Sequence, residues 1–168
     1  MSQTQLTAGS SVLDEEMRAA IEREAAKFPP EQKRSVVLAA LRLAQLGNGG
    51  WLSRELMDAV ADYLELPPIA VYEVATFYTM YDLKPVGRHK IYVCTNISCL
   101  LRGSDEIVSH LKDKLGIGFG QTTTDGKFTL KEAECLAACG GAPMFQIGVK
   151  FHENLTPEKI DTILSNLD

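Results

Sequence analysis

The four cysteines of this 168-residue chain occur as two pairs, and this arrangement constrains the fold more than any other feature. Four residues separate Cys94 from Cys99, and three separate Cys135 from Cys139. The N-terminal stretch has no cationic start, no apolar core and no arginine-rich pattern, so we expect neither a secretory signal nor a transit peptide. In the reducing compartment that this implies, an even set of cysteines indicates metal or redox chemistry more than structural disulfides.

Composition and charge are those of a globular chain with an acidic balance. Hydrophobic residues make up 45% of the chain, which is enough for a packed core. The chain carries 17 Lys and Arg against 22 Asp and Glu, a formal net charge of -5. This balance argues against a nucleic-acid partner, which usually meets a basic face. No apolar run approaches membrane-spanning length, so we expect no direct membrane insertion and a cytoplasmic location.

Helical periodicity dominates the first half of the chain. It follows a polar N-terminus, residues 1–12, that we expect to be flexible. Two apolar stretches at helical spacing end at prolines or glycines, and Ser53 has the position of the N-cap of a third helix. A fourth helix is predicted in the apolar and aromatic segment 69–83, buried against other helices or a second body. The pattern therefore predicts a helical domain over residues 13–86.

Strands and helices alternate from Arg88 onward. The predicted elements are, in order, a strand ending at Cys94, a helix over residues 99–115, a strand from Phe128, a hairpin around Gly148-Val149 and a helix capped by Thr156. This order resembles a thioredoxin-like sandwich. The sequence thus predicts an α+β protein, in which an N-terminal helical bundle is followed by a thioredoxin-like α/β domain over residues 87–168.

The spacing of the cysteines favours one metal chemistry over another. One pair follows the first strand and the other precedes the hairpin, so both could converge on one edge of the sheet. Four thiolates suit either a tetrahedral zinc ion or an iron–sulfur cluster. Structural zinc sites usually draw their sulfurs from tight C-x2-C turns, which this chain lacks. Wider loops better fit a 2Fe-2S cluster, which has two protein ligands on each iron. A zinc site remains an alternative.

Several motifs carry a resemblance to a known family. They are Cys94-Thr95 with Cys99 and Leu101-Arg102-Gly103, Glu134-Cys135-Leu136 with Ala138-Cys139, Ala142-Pro143-Met144, and in the helical half residues 73–78 and 85–89. Together they resemble the 24 kDa subunit of respiratory complex I, the NADH-quinone oxidoreductase of bacteria and mitochondria. This is a family of thioredoxin-like 2Fe-2S ferredoxins. The resemblance extends from about residue 14 to the end of the chain.

The resemblance implies a cofactor, its ligands and a set of partners. Cys94, Cys99, Cys135 and Cys139 would bind one 2Fe-2S cluster that carries single electrons. FMN and NADH would bind to a partner, the flavoprotein subunit of the complex, and other peripheral-arm subunits would be neighbours of this chain. The chain would then be part of an oxidoreductase, an NADH dehydrogenase, and be inactive by itself.

Two alternatives stay open at this point. Related subunits serve NAD-linked hydrogenases and formate dehydrogenases, and the sequence does not separate those settings from the respiratory one. A zinc-stapled structural adaptor with no redox role is an alternative of another class. Iron and sulfide content would distinguish that adaptor from an electron carrier.

Residue 137 departs from the family pattern, because many relatives have glycine immediately before Ala-Cys. This chain has Ala137 there. Alanine would be strained if the position required a positive φ. We therefore expect a right-handed turn at Ala137.

Overall fold

The computed structural model describes residues 12–167. Two compact units divide the chain between Pro85 and Val86. The N-terminus that we expect to be flexible, residues 1–12, lies outside the described residues except for Val12. Within the described part of the chain, no helix combines the length and the apolar character needed to cross a membrane.

The N-terminal unit consists of helices, as the periodicity predicts. They are α1 (Glu15–Ala25), α2 (Val37–Gly47), α3 (Arg54–Leu64) and α4 (Pro68–Phe77), with a 3-10 turn (Lys33–Val36) before α2. The predicted cap of α3 is present: the Ser53 hydroxyl accepts a hydrogen bond from the N–H of Leu56 at 3.2 Å. Asp14 caps α1 in the same way, through the N–H of Met17 at 2.7 Å. Side-chain chemistry at these two residues therefore decides where the helices begin.

One face of each helix builds the core of this unit. Ile21, Leu41, Val60 and Val71, one from each of the four helices, are fully buried in a single apolar cluster. Burying apolar surface in this way is the dominant favourable contribution to folding. The unit therefore has a hydrophobic core of its own.

The fourth helix is shorter than the predicted segment 69–83. It ends at Phe77, and Tyr78 has extended backbone dihedrals, φ -86° and ψ 122°. Tyr81 is buried within the chain, whereas Phe77 is 78% exposed, so burial of Phe77 against a second body stays a prediction. The helix stops because Gln45 offers the chain other partners: its amide donates to the Met80 carbonyl at 3.1 Å and accepts from the Asp82 N–H at 2.7 Å.

We expect Gln45→Ala to lower the free energy of unfolding by about 1–3 kcal/mol, because it leaves a buried N–H without its acceptor. The sole tryptophan, Trp51, lies in the same unit, so its fluorescence during denaturant unfolding reports the change. Gln32→Ala, at an exposed residue, is the matched control. Equal stability of the two variants would contradict the role given to Gln45.

The C-terminal unit is a mixed four-stranded sheet with helices. Its elements are β1 (His89–Cys94), α5 (Ile97–Leu100), α6 (Ser104–Leu115), β2 (Phe128–Ala133), β3 (Phe145–Ile147), β4 (Lys150–His152) and α7 (Pro157–Ser165). The strand order is β2-β1-β3-β4. β1 and β2 are parallel, and β3 is antiparallel to both β1 and β4. This architecture confirms the predicted α+β fold class.

Most predicted elements of this unit are present, with one correction. The hairpin turns at Gly148-Val149, and the hydroxyl of Thr156 caps α7 by accepting from the N–H of Lys159 at 3.3 Å. The helix predicted over residues 99–115 is instead two helices, α5 and α6. Gly103, with φ 88°, separates them, because a left-handed residue cannot continue a right-handed helix.

Candidate metal centre

Two connecting segments meet at the same edge of the C-terminal sheet: residues 95–103, which follow β1, and residues 134–144, which join β2 to β3. β1 and β2 are parallel, and Cys94 lies opposite Ala133, so both strands end at this edge. The segment with the second cysteine pair follows β2 directly. Met144 immediately precedes β3, and its carbonyl accepts from the N–H of Cys94 at 3.2 Å. The topology therefore brings the segments that carry or adjoin all four cysteines to one edge of the sheet.

Cys94 and Cys99 form the buried half of the site. Their exposed fractions are 4% and 1%, and they belong to a small apolar cluster with Ala142 and Met144. The short helix α5 places Cys99, and Asn96 caps this helix by accepting from the N–H of Ile97 at 2.8 Å. The fold thus positions these two thiols in an apolar environment.

Burial raises the pKa of the Cys99 thiol to about 11, with a further contribution from its hydrogen bond with Cys94. The backbone N–H of Met144 opposes this rise by hydrogen-bonding to the sulfur. Cys99 is therefore a neutral thiol at physiological pH in the metal-free protein.

Cys135 and Cys139 are exposed, and all four cysteines are free thiols. Between them, Leu136 and Ala138 pack against the apolar cluster of Cys94 and Cys99. Within residues 12–167, no three Cys, His, Asp or Glu side chains are placed closely enough to hold a metal ion. That all four sulfurs bind one centre therefore stays a prediction.

Ala137 corrects an expectation from the sequence. Its φ is 58°, in the left-handed region, so the right-handed turn that we expected is wrong. A non-glycine residue there carries a cost of about 1–2 kcal/mol. The N–H of Ala137 donates to the sulfur of Cys135, at 3.3 Å.

Gly141 is tightly packed at the end of the segment that carries Cys135 and Cys139. Sequence reasoning missed this role. A side chain at this residue would overlap three carbons of the Glu153 side chain. Its carbonyl accepts from the N–H of Asn154 at 2.6 Å, and its own N–H donates to the Ala138 carbonyl at 3.0 Å. Nothing in the sequence pairs residues 141 and 153, because their contact depends on how the hairpin returns to this loop.

Three basic residues flank the first cysteine pair along the chain. Arg88 and Lys90 lie at or before the start of β1, whereas Cys94 is at its end. Arg102 is exposed, and its backbone N–H donates to the Cys99 carbonyl at 3.1 Å. The backbone of Arg102, and not its charged side chain, is therefore what contacts Cys99.

We expect Gly141→Ala to destabilise the full chain by about 1–3 kcal/mol, because the new methyl group overpacks against Glu153. Circular dichroism during denaturant unfolding measures this loss. Gly140→Ala is the matched control, since a methyl group there meets nothing within 4 Å. Equal stability of Gly141→Ala and the control would contradict this expectation, because the Glu153 side chain would then move aside at no cost in free energy.

Fold and site together define a class: a thioredoxin-like α/β unit with four free cysteines in or beside the connecting segments at one sheet edge, preceded by a helical unit. The family model for the thioredoxin-like [2Fe-2S] ferredoxin matches residues 21–168. The chain belongs to this family, which confirms the resemblance seen in its motifs.

Individual relatives agree with the family match. The chain is 53% identical over 141 residues to an NADH-quinone oxidoreductase subunit of Rickettsia bellii (strain RML369-C), and the alignment covers 84% of each chain. It is 44% identical over 147 residues to mitochondrial NADH dehydrogenase [ubiquinone] flavoprotein 2 of Dictyostelium discoideum, covering 88% of this chain and 60% of that one.

Solved structures show the same fold at lower sequence identity. A chain of the NAD+-reducing [NiFe]-hydrogenase in its H2-reduced state superposes with a TM-score of 0.68 at 23% identity. The superposition covers 77% of this chain and 21% of the hydrogenase chain. At this identity the likeness supports the fold alone.

Proposed function

We propose that the chain is a one-electron carrier that holds a 2Fe-2S cluster in the NADH-oxidising module of a respiratory NADH-quinone oxidoreductase. The observation that carries the proposal is that all four cysteines fall within the matched family region and lie in or beside the segments that meet at one sheet edge. The extent of the likeness to the Rickettsia bellii protein supports the respiratory setting.

The donor set present in the chain fits such a cluster. Cys94, Cys99, Cys135 and Cys139 are free thiols, and a 2Fe-2S cluster takes four thiolates. Backbone N–H groups already lie at two of the sulfurs, those of Cys99 and Cys135. Hydrogen bonds of this kind tune an iron–sulfur centre, and the bound cluster would supply the transfer of single electrons. We therefore assign all four cysteines as its ligands.

The two pairs would contribute differently to the site. Cys94 and Cys99 lie in an apolar cluster that excludes water from their sulfurs. Burial disfavours added negative charge, while N–H donors stabilise it, so the balance of the two sets a reduction potential. Cys135 and Cys139 are on the exposed side, where a partner chain could approach. The buried pair would hold the cluster in the fold. The exposed pair would lie on the side where the electron passes to or from a partner chain.

The division of labour with a partner follows from the same assignment. We place FMN and NADH on a flavoprotein subunit, with this chain beside it in the peripheral arm of the complex. The relatives named as parts of NADH-oxidising enzymes support this arrangement. The hydrogenase alternative receives support only at the level of the fold. The family match favours the 2Fe-2S cluster over a zinc-stapled adaptor.

We expect the purified chain to contain iron and acid-labile sulfide in equal amounts and to give an electron paramagnetic resonance signal after reduction. Cys135→Ala should lose the cluster and loosen the C-terminal unit, because metal binding and folding are coupled. Ser98→Ala, between the cysteines of the first pair, is the control and should keep full occupancy. Full occupancy of Cys135→Ala would refute the ligand assignment, and one zinc ion in a colourless protein would refute the proposed function.

We also expect the isolated chain to show no NADH oxidation until an FMN-binding partner is added. The physical reason is that NADH delivers a two-electron hydride, whereas the proposed cluster takes single electrons. Steady-state reduction of an artificial acceptor measures the activity of the chain, of the partner and of their mixture. NADH turnover by the chain alone would contradict the division of labour.

A further inference from the structure

Resting on the proposed function, we propose that the Ser104 hydroxyl donates a hydrogen bond to a sulfur on the buried side of the bound 2Fe-2S centre. Ser104 is the first residue of α6 and is 1% exposed. Across residues 12–167, its hydroxyl oxygen is the one buried side-chain nitrogen or oxygen without a hydrogen-bond partner. The protein alone therefore leaves the hydrogen-bonding capacity of this group unused.

A buried hydroxyl without a partner is unusual because it is unfavourable. It has lost its hydrogen bonds to water and has gained none within the protein, so it destabilises the fold. Most buried polar atoms have a partner, and an exception indicates a strained, functional or ligand-binding position. A bound group that brings an acceptor to Ser104 would remove this destabilisation.

The topology places Ser104 at the edge of the sheet where the cysteines lie. Helix α6 connects the parallel strands β1 and β2, so it runs antiparallel to both and begins at the edge where they end. Ile107 and Leu111 of α6 pack in one core cluster with Val93 of β1. Ser104 precedes Ile107 by three residues and so lies on the same, sheet-facing side of the helix. Its buried hydroxyl is therefore on that side at the edge where Cys94 ends β1.

A tight turn also keeps Ser104 near the other buried cysteine. The Cys99 carbonyl accepts from the N–H of Arg102 at 3.1 Å, and the Leu100 carbonyl accepts from the N–H of Gly103 at 3.0 Å. These bonds fold the chain back on itself immediately before α6. Ser104 thus begins its helix beside the turn that contains Cys99, at the same edge as Cys94.

An iron–sulfur centre supplies the acceptor that this hydroxyl lacks. Its sulfurs carry negative charge and accept hydrogen bonds, which tune the reduction potential. Backbone N–H groups already donate to the sulfurs of Cys99 and Cys135. A serine hydroxyl can rotate about its C–O bond to meet an acceptor, so it suits a sulfur on the buried side. The Ser104 hydroxyl would be a side-chain donor beside these backbone donors.

We expect Ser104→Ala to lower the reduction potential of the cluster-bound chain. The reduction equilibrium should shift about threefold to tenfold toward the oxidised state, because a hydrogen bond to sulfur stabilises the more negative, reduced state more. Redox titration followed by electron paramagnetic resonance measures this shift. Ser109→Ala removes a hydroxyl from an exposed residue of the same helix and should match wild type. An unchanged potential in Ser104→Ala would overturn the proposal.

The hydroxyl proton gives a second readout that a packing effect at residue 104 would not reproduce. Electron–nuclear double resonance of the reduced centre should show an exchangeable proton coupling that wild type loses in D2O and that Ser104→Ala lacks in water. Ser109→Ala should keep this coupling. A full set of exchangeable couplings in Ser104→Ala would overturn the proposal even if its potential had shifted.

Both measurements detect only chains that hold a reduced cluster, so a lower cluster content in Ser104→Ala does not prevent either one. Iron and acid-labile sulfide in the wild-type chain separate the two levels of the argument. A wild-type chain without them would defeat the proposed function and this inference together. A loaded wild-type chain, with Ser104→Ala unchanged in potential and in proton couplings, would defeat the inference alone.

Discussion

The backbone of Met144 is the contact on which the candidate site depends. Its carbonyl accepts the N–H of Cys94, and its own N–H reaches the sulfur of Cys99. One residue, located between the second cysteine pair and β3, thus fixes both cysteines of the first pair. Because Met144 is itself buried beside them, the bonds are shielded from water. The fold therefore joins the two cysteine segments before any metal is considered.

This arrangement sets a conflict between burial and charge. Burial keeps Cys99 protonated, with its pKa raised to about 11, whereas a metal ligand must be a thiolate. A bound centre would supply positive charge that removes the proton, so binding and deprotonation would occur together. The N–H of Met144 lowers the cost of that step without adding a charged side chain. Backbone donors suit a buried site for this reason, since no further ion has to be desolvated.

The parts of the structure that sequence reasoning predicts are those governed by local chemistry. Ser53 and Thr156 begin helices because their hydroxyls cap nearby N–H groups, a pattern that is visible in the sequence itself. The end of α4 was not predicted, since the amide of Gln45, on another helix, binds Met80 and Asp82 in the segment that follows α4. At the site, spacing indicates the four cysteines but not which of them are buried. The positive φ of Ala137 goes against the usual preference of alanine and was not predicted.

Restraint is distributed unevenly among the four cysteines. Cys94 ends a paired strand, and Cys99 lies in a capped, buried helix. Cys139 begins a 3-10 turn that ends at Gly141, a residue closely packed against the hairpin side of the unit. Cys135 lies in an exposed loop, and the hydrogen bond that its sulfur accepts comes from its own turn. The fold therefore orders the buried ligands before a metal binds. The conformational entropy lost on metal binding would come mainly from ordering the segment around Cys135.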